Sequence, residues 1–574
     1  MYGAVTKQRS AIFFALLTFF LFALSPSGAF ANNANPCPRP AAGSPATQSP
    51  DIYSQNGVLK VHFDYYTQLD SLGRTLFCFV APGGLESPTL HVNPGDEIDL
   101  NVTNHVPSAG NNFGELVSDK SNTCGDSVMT IASVNIHFHG TNTTPHCHGD
   151  DVVHTLINSG QSFTYHLHIP KDEPPGLYWY HPHVHGISDH AVEGGATGAI
   201  EVEGIANLQP DVAGLPQRFL VIRDQRLGNP PNGKVTVQVP NWDISLNYVP
   251  VSFPKYVPSV IQMQPGAKEF WRVVNSSADT TMDLKLTYDG VLQPLQIVAF
   301  DGVPTGSQDG KHQGTIVTQT DIFIPPAGRA EFIVTGPGSG VKKAIFATNR
   351  IDTGPLGDSD PVRPLAVIQQ TNTNKNVPSR IFPISNAVTG QRFAGVEDWM
   401  VTAHRHLYFS ETQAGAGGKV VPGGPGNVTF FITVQGQTPV AYYPDEPPAI
   451  TTHRGAVEDW IIENEAAELH MFHMHQIHFQ VLAVDGVPIP RDQRQWYDTY
   501  PVHYWTGNGP YPSIKVRMDF RGAVEGEFVY HCHILGHEDA GMMANILVLP
   551  PEKPHAAKRD AANKPASRGD ARHA

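Results

Sequence analysis

An all-β chain of consecutive sandwich or barrel domains is what three features of the sequence predict. Gly and Pro are abundant, 53 and 49 of 574 residues, which implies frequent turns. Short Val/Ile/Phe/Tyr runs recur between those turns, while helical signatures are scarce. The third feature is repetition. Residues 94–104, 265–275 and 454–464 each read as a turn, an alternating strand and a polar stop, with one Gly-to-Asn spacing in all three. Two further echoes, 299–304 with 483–488 and 176–183 with 526–533, keep the same order.

The chain is too long for one hydrophobic core. The echoes divide it into domains at 51–204, 205–380 and 381–550, with linkers near Gly204 and around residues 375–395. Before them, Lys7 and Arg9 precede an apolar run from Ala11 to Leu24 and then Ala29-Phe30-Ala31. That pattern reads as a secretory signal peptide over 1–31, and the run is too short to span a membrane. Beyond about Pro551 the composition turns to Lys, Arg, Ala and Pro without periodicity, so 551–574 is expected to be a disordered tail. A secreted or periplasmic monomer is the expectation. The net charge of −15 excludes a nucleic-acid partner, because no basic face offsets phosphate repulsion.

Histidine clusters carry the chemistry. They are His137-Phe138-His139, His181-Pro182-His183, His470-Met471-Phe472-His473-Met474-His475, and Tyr530-His531-Cys532-His533 followed by His537 and Met542. The last follows an apolar strand that begins at Gly526. In a strand, side chains alternate faces, so Cys532 points away from His531 and His533 and one segment can touch a metal on each side. Thiolate, imidazole and a long axial thioether are the set that copper prefers, and His₂Cys with Met is the blue-copper combination. Each His-x-His pair spans roughly 7 Å at its base, which suits neighbouring metals in a cluster. Storage of copper has no need of a cysteine bridging two sites. The triplet His146-Cys147-His148 is read as a decoy in a Thr-rich loop. Setting Cys532 aside leaves Cys37, Cys78, Cys124 and Cys147, enough for two disulfides in any of three pairings.

These motifs, in this order, resemble those of the three-domain multicopper oxidases of the laccase and ascorbate-oxidase kind, over about residues 50–550. The resemblance implies three cupredoxin-like Greek-key domains and four copper ions. His470, Cys532 and His537, with Met542 axial, would bind the type 1 ion; His137 and His473 the type 2 ion; His139, His181, His183, His475, His531 and His533 the type 3 pair. A small reducing substrate, phenol or aromatic amine, would deliver single electrons near His470, and dioxygen would be reduced to water. Alternatives are a metal oxidase acting on Cu(I), Fe(II) or Mn(II), and a non-enzymatic extracellular copper-binding protein. No Met-rich run favours Cu(I). Asp150, Asp151 and Glu538 are candidates for handling protons.

Overall fold

The computed structural model describes residues 35–108, 124–125, 128–227, 239–307, 314–372, 392–413, 428–522 and 524–551. The predicted signal peptide, the tail from 552 and most of the 375–395 linker lie outside them. Among the described residues no helix is long and apolar enough to cross a membrane.

Among the described residues six sheets form, in three pairs that follow the chain. In the first pair, one sheet runs in space Asp51–Tyr53, Thr89–Val92, Gly198–Val202, Gly176–His181, His137–His139, and its companion is built on Val58–Leu69, Glu97–Asn104 and Ser162–His168. In the last pair, Ile450–His453, Met543–Leu549, Gly526–Cys532 and His470–Met474 repeat the order of the last four strands of that first sheet, with Thr499–Val502 added at the edge, against a sheet built on Ala403–Gln413, Val457–Asn464 and Ser513–Asp519. The middle pair lies between 217 and 370. Each pair closes over its own apolar core, around Phe63 and Tyr180, Trp271 and Phe332, and Trp460 and Phe472.

The three sequence echoes are one structural device. Glu97–Asn104, Lys268–Asn275 and Val457–Asn464 each pair in parallel with an earlier strand and antiparallel with a later one. Their terminal asparagines are fully buried and act alike. Asn104 Nδ2 donates to Ala132 O and Ile157 O, Asn275 to Thr280 O and Ile324 O, and Asn464 to Glu468 O and Val502 O. The polar stop is therefore a clip that satisfies two buried loop carbonyls, which would otherwise be costly to bury. The second echo marks two hairpins. Asp301-Gly302 and Asp485-Gly486 all have positive φ, 46°, 79°, 49° and 74°, the conformation that a tight Asp-Gly hairpin turn requires.

Cys37 pairs with Cys78 and Cys124 with Cys147, which selects one of the three pairings. The first bridge closes a separation of 41 residues. Loop-closure entropy for that length gives about 4 kcal/mol. Replacing Cys37 and Cys78 together by alanine is expected to lower the unfolding free energy by that order, measured by urea denaturation; an unchanged midpoint would contradict it.

Candidate metal centre

The third echo sets the site. Gly176–His181 and Gly526–Cys532 are central strands of their sheets, flanked respectively by His137–His139 and by His470–Met474. His473 lies opposite His531, and Phe472 opposite Cys532. The ends of these four strands bring the histidines of the first and last pairs of sheets together, all of them buried.

His183, His475 and His531 converge: their Nε2 atoms are 3.1 to 3.2 Å apart in every pairing. His531 Nδ1 donates to Cys532 O, so its Nε2 presents a lone pair. Three such nitrogens facing one another repel unless a cation joins them, and a point about 1.8 Å from each is close to a metal–imidazole bond length. His139, His181 and His533 form a second group, with ring centroids 5.1 to 5.7 Å apart. His137 and His473 stack on His475 and His139, respectively. The Nε2 atoms of His137, His181 and His473, Nδ1 of His139 and both ring nitrogens of His533 are buried with no hydrogen-bond partner. Orphaned buried imidazole nitrogens converging in this way fit metal ligation.

For His137, His139, His181 and His473 the opposite nitrogen is tied, which fixes tautomer and ring angle. Asp150 accepts from His137 Nδ1 and from the Phe138 amide, and burial pushes its carboxyl up to about 8. His181 Nδ1 donates to Pro182 O and His473 Nδ1 to Asp498 O. His139 Nε2 lies 3.1 Å from Asp498 Oδ1. Asp498 was not singled out in the sequence, because a lone Asp in Tyr497-Asp498-Thr499 carries no spacing signal. Its carboxylate takes both terminal nitrogens of Arg329, which is fully buried and also donates to Leu177 O. One arginine of the middle sheets thereby reaches the first and the last. Gly140 permits the close approach: a Cβ there would lie 2.5 Å from Arg329 Nη2 and 2.7 Å from Asp498 Oδ2.

The two other acid candidates differ. Glu538 is fully buried, its Oε2 3.3 Å from His531 Nδ1 and its Oε1 3.6 Å from His183 Nδ1. Burial, reinforced by Asp539, holds its carboxyl well above the usual range. Asp151 is corrected: it turns to accept from the His154 amide and faces the His154 ring, so only Asp150 of that pair meets the histidines.

On the other face of Gly526–Cys532, Cys532 Sγ lies 3.7 Å from His470 Nδ1 and 3.9 Å from His537 Nδ1, and those nitrogens are 3.1 Å apart. Met542 is fully buried in the same core and its carbonyl accepts from the Cys532 amide. Burial pushes the thiol up to about 12, so it becomes a thiolate only when a cation takes the proton's place. His470, the expected electron entry, and His537 differ in their surroundings. The His470 ring is sealed by Phe409 and Phe430, whereas His537 borders a cavity of about 360 Å³.

Two segments, residues 129–206 and 425–552, match family models described as multicopper oxidase. Between them they contain every converging histidine and Cys532. Both segments are multicopper oxidase domains. The oxidase is 23% identical to a laccase of Bacillus subtilis over 508 residues, 82% of this chain and 90% of the relative. It is 22% identical to a multicopper oxidase of Staphylococcus haemolyticus over 474 residues, 81% and 83% of the two chains. A Campylobacter jejuni multicopper oxidase described as a metallo-oxidase shares its fold with a TM-score of 0.61 at 20% identity, covering 89% of this chain and 96% of that one. The oxidase thus binds copper and uses dioxygen to oxidise small molecules, which sets aside the non-enzymatic reading.

Burial, together with neighbouring imidazoles, holds the cluster histidines well below their ordinary 6.5, His531 at about 3, and burial alone brings His537 to about 3. An unfolded imidazole takes its proton near 6.5, the folded one far lower, so below that pH the unfolded state binds more protons. Stability present above 6.5 is lost as pH falls, by about 1.4 kcal/mol per imidazole per pH unit. Copper-stripped oxidase is therefore expected to show a steep drop in Tm between about pH 7 and 5. A flat calorimetric profile would overturn this.

Proposed function

We propose that the oxidase is an extracytoplasmic four-copper enzyme that takes single electrons at His537 and delivers them through Cys532 to the eight-histidine cluster. One observation carries the reading: Cys532 is the sulfur of one converging group, while its chain neighbours His531 and His533 belong to two others. In the assignment by motif, His470, Cys532, His537 and Met542 hold the type 1 ion. His137 and His473 hold the type 2 ion. His139, His181 and His533 hold one type 3 ion, and His183, His475 and His531 the other. Bound copper would supply the one-electron acceptor at Cys532 and the reduction of dioxygen at the cluster. The two disulfides support an oxidising compartment.

The residues have separable tasks. Phe430 stacks on the His537 ring at 4.1 Å and meets the His470 ring edge-on, bracing the two imidazoles. Asp150 and Asp498 orient His137, His139 and His473. Glu538, protonated in its buried position, stands beside His183 and His531 to supply protons for oxygen reduction. Glu538→Gln keeps the shape and removes the exchangeable acid. Oxygen consumption is expected to fall by roughly 100-fold, the scale of a lost general acid, with the blue absorption retained; unchanged turnover across pH would sink the relay.

As to the donor, laccase-like relatives favour phenols or aromatic amines. The cavity gives a different emphasis: carboxyl groups dominate its polar lining, and with burial holding Asp189, Asp279, Asp358 and Glu468 above the usual carboxylate range they offer oxygen acceptors that favour a protonated amine or a metal ion over a phenolate. Purified copper-loaded oxidase should be blue and consume dioxygen with such donors. A colourless, oxygen-inert holoprotein would end the reading as a whole.

A further inference from the structure

His475 follows the strand His470–Met474, and the chain turns immediately after it. The Ile477 amide donates to His475 O at 2.7 Å, which closes a three-residue turn with Gln476 at its centre. Gln476 has φ +57°. Turns of this hand are rare and strained, and the left-handed region favours glycine because a Cβ crowds the backbone there. Such strain persists only where the surroundings over-determine it. At Gln476 they do.

The buried Gln476 side chain crosses from the last pair of sheets to the first. Its Nε2 donates to Asp150 Oδ2 at 2.5 Å, over a separation of 326 residues. The same Oδ2 accepts from His137 Nδ1 at 2.9 Å, and Oδ1 accepts from the Phe138 amide. The Gln476 main chain is tied to the same loop, since its carbonyl accepts from Asn142 Nδ2. Asn142 and Asp150 both follow His137–His139 in the chain, so residue 476 is pinned to that loop twice. His137 in turn stacks on His475, with centroids 3.8 Å apart and planes 15° apart. The contacts therefore form a closed circuit: His475, its neighbour Gln476, Asp150, His137, and back to His475. All four side chains are buried, and none can rotate without breaking a contact to the next.

We propose that Gln476 is a positioning residue that bridges the two halves of the histidine cluster: it clamps Asp150 against His137 and so sets the angle at which His137 presents Nε2. That nitrogen is buried without a hydrogen-bond partner, so the ring angle is governed from the Nδ1 side, where Asp150 sits. Removing Gln476 leaves Asp150 its bonds to His137 and Phe138 but cuts its bond to the last pair of sheets. The first and last groups of ligands then lose a common reference. A side chain that merely filled space would behave differently. Glycine at 476 would relieve the turn and leave the cluster as it was, whereas a clamp is lost with the amide. One substitution therefore separates the two roles.

The inference rests on the reading of His137 as a type 2 copper ligand, and the experiment separates the two. Gln476→Gly is the variant to make, because glycine accepts the turn and cannot fail through backbone strain. Copper affinity at the type 2 position should fall by roughly 10- to 100-fold, the scale for a lost partner of a ligand histidine. Chelator competition followed through the type 2 electron-paramagnetic-resonance signal measures it, and the blue absorption should be unchanged. Asp150→Ala should lose at least as much. Adding Gln476→Gly to Asp150→Ala should then change the affinity by less than about twofold, because the amide acts through that carboxylate. Losses that multiply in the double variant would overturn the proposal, as would a Gln476→Gly enzyme with the parent's signal and affinity. Crystal structures of the copper-free proteins give a second readout: in Gln476→Gly the Asp150 carboxylate should rotate off His137 Nδ1, and an unmoved Asp150 would overturn the clamp. An unaltered oxidase with no type 2 signal would instead overturn the four-copper reading, and the copper-free structures would still decide the clamp.

Discussion

Cys532→Ser is expected to abolish the blue absorption and cut donor oxidation by at least about 1,000-fold, because serine supplies no soft thiolate to copper. Cys532 Sγ faces His470 and His537 at 3.7 and 3.9 Å. It is also the covalent junction, since His531 and His533 reach the other centres through its backbone. The histidines on the far face keep their partners Asp150, Asp498 and Pro182 O. Those centres should therefore retain copper, about three ions per chain by elemental analysis on the assignment proposed above. Loss of all copper would show that the cysteine site organises the cluster, contrary to the hydrogen-bond pattern.

Asp498→Ala should have the largest effect on stability. It leaves the Arg329 guanidinium fully buried without its carboxylate, a change that costs about 3–5 kcal/mol in buried pairs. It also frees His139 and Thr499 from their acceptor. A fall in the urea midpoint and a drop in copper content are expected together. The double variant Arg329→Met/Asp498→Ala separates the causes. Removing the stranded charge should recover most of the stability while copper occupancy stays low, because His139 remains unanchored. Recovery of both would reduce Asp498 to a charge partner.

Much of this architecture is legible in the sequence because its signals are local and periodic. The Gly-to-Asn echoes mark strands whose asparagines clip loops identically, and His-x-His pairs mark strand ends. The copper-binding candidates fall together for the same reason. What escapes is information held between distant residues. Asp498 is visible only through Arg329, 169 positions away. The choice between Asp150 and Asp151 depends on which carboxylate the His137 ring meets. That Phe409 and Phe430 flank His470 while His537 borders a cavity is a packing fact with no spacing pattern. The carboxylate cavity draws single residues from all three regions, so no motif announces it.

The histidine groups have a consequence for biogenesis. His183 converges with His475 and His531, and His181 lies against His533, so these two groups join early and late parts of the polypeptide. Domains of a nascent chain fold as they emerge, N-terminal first. The first pair of sheets can therefore close long before its histidines have partners. The groups that draw on both ends of the chain cannot close before residues 470–533 have been made, so full copper loading is expected only once synthesis and docking are complete.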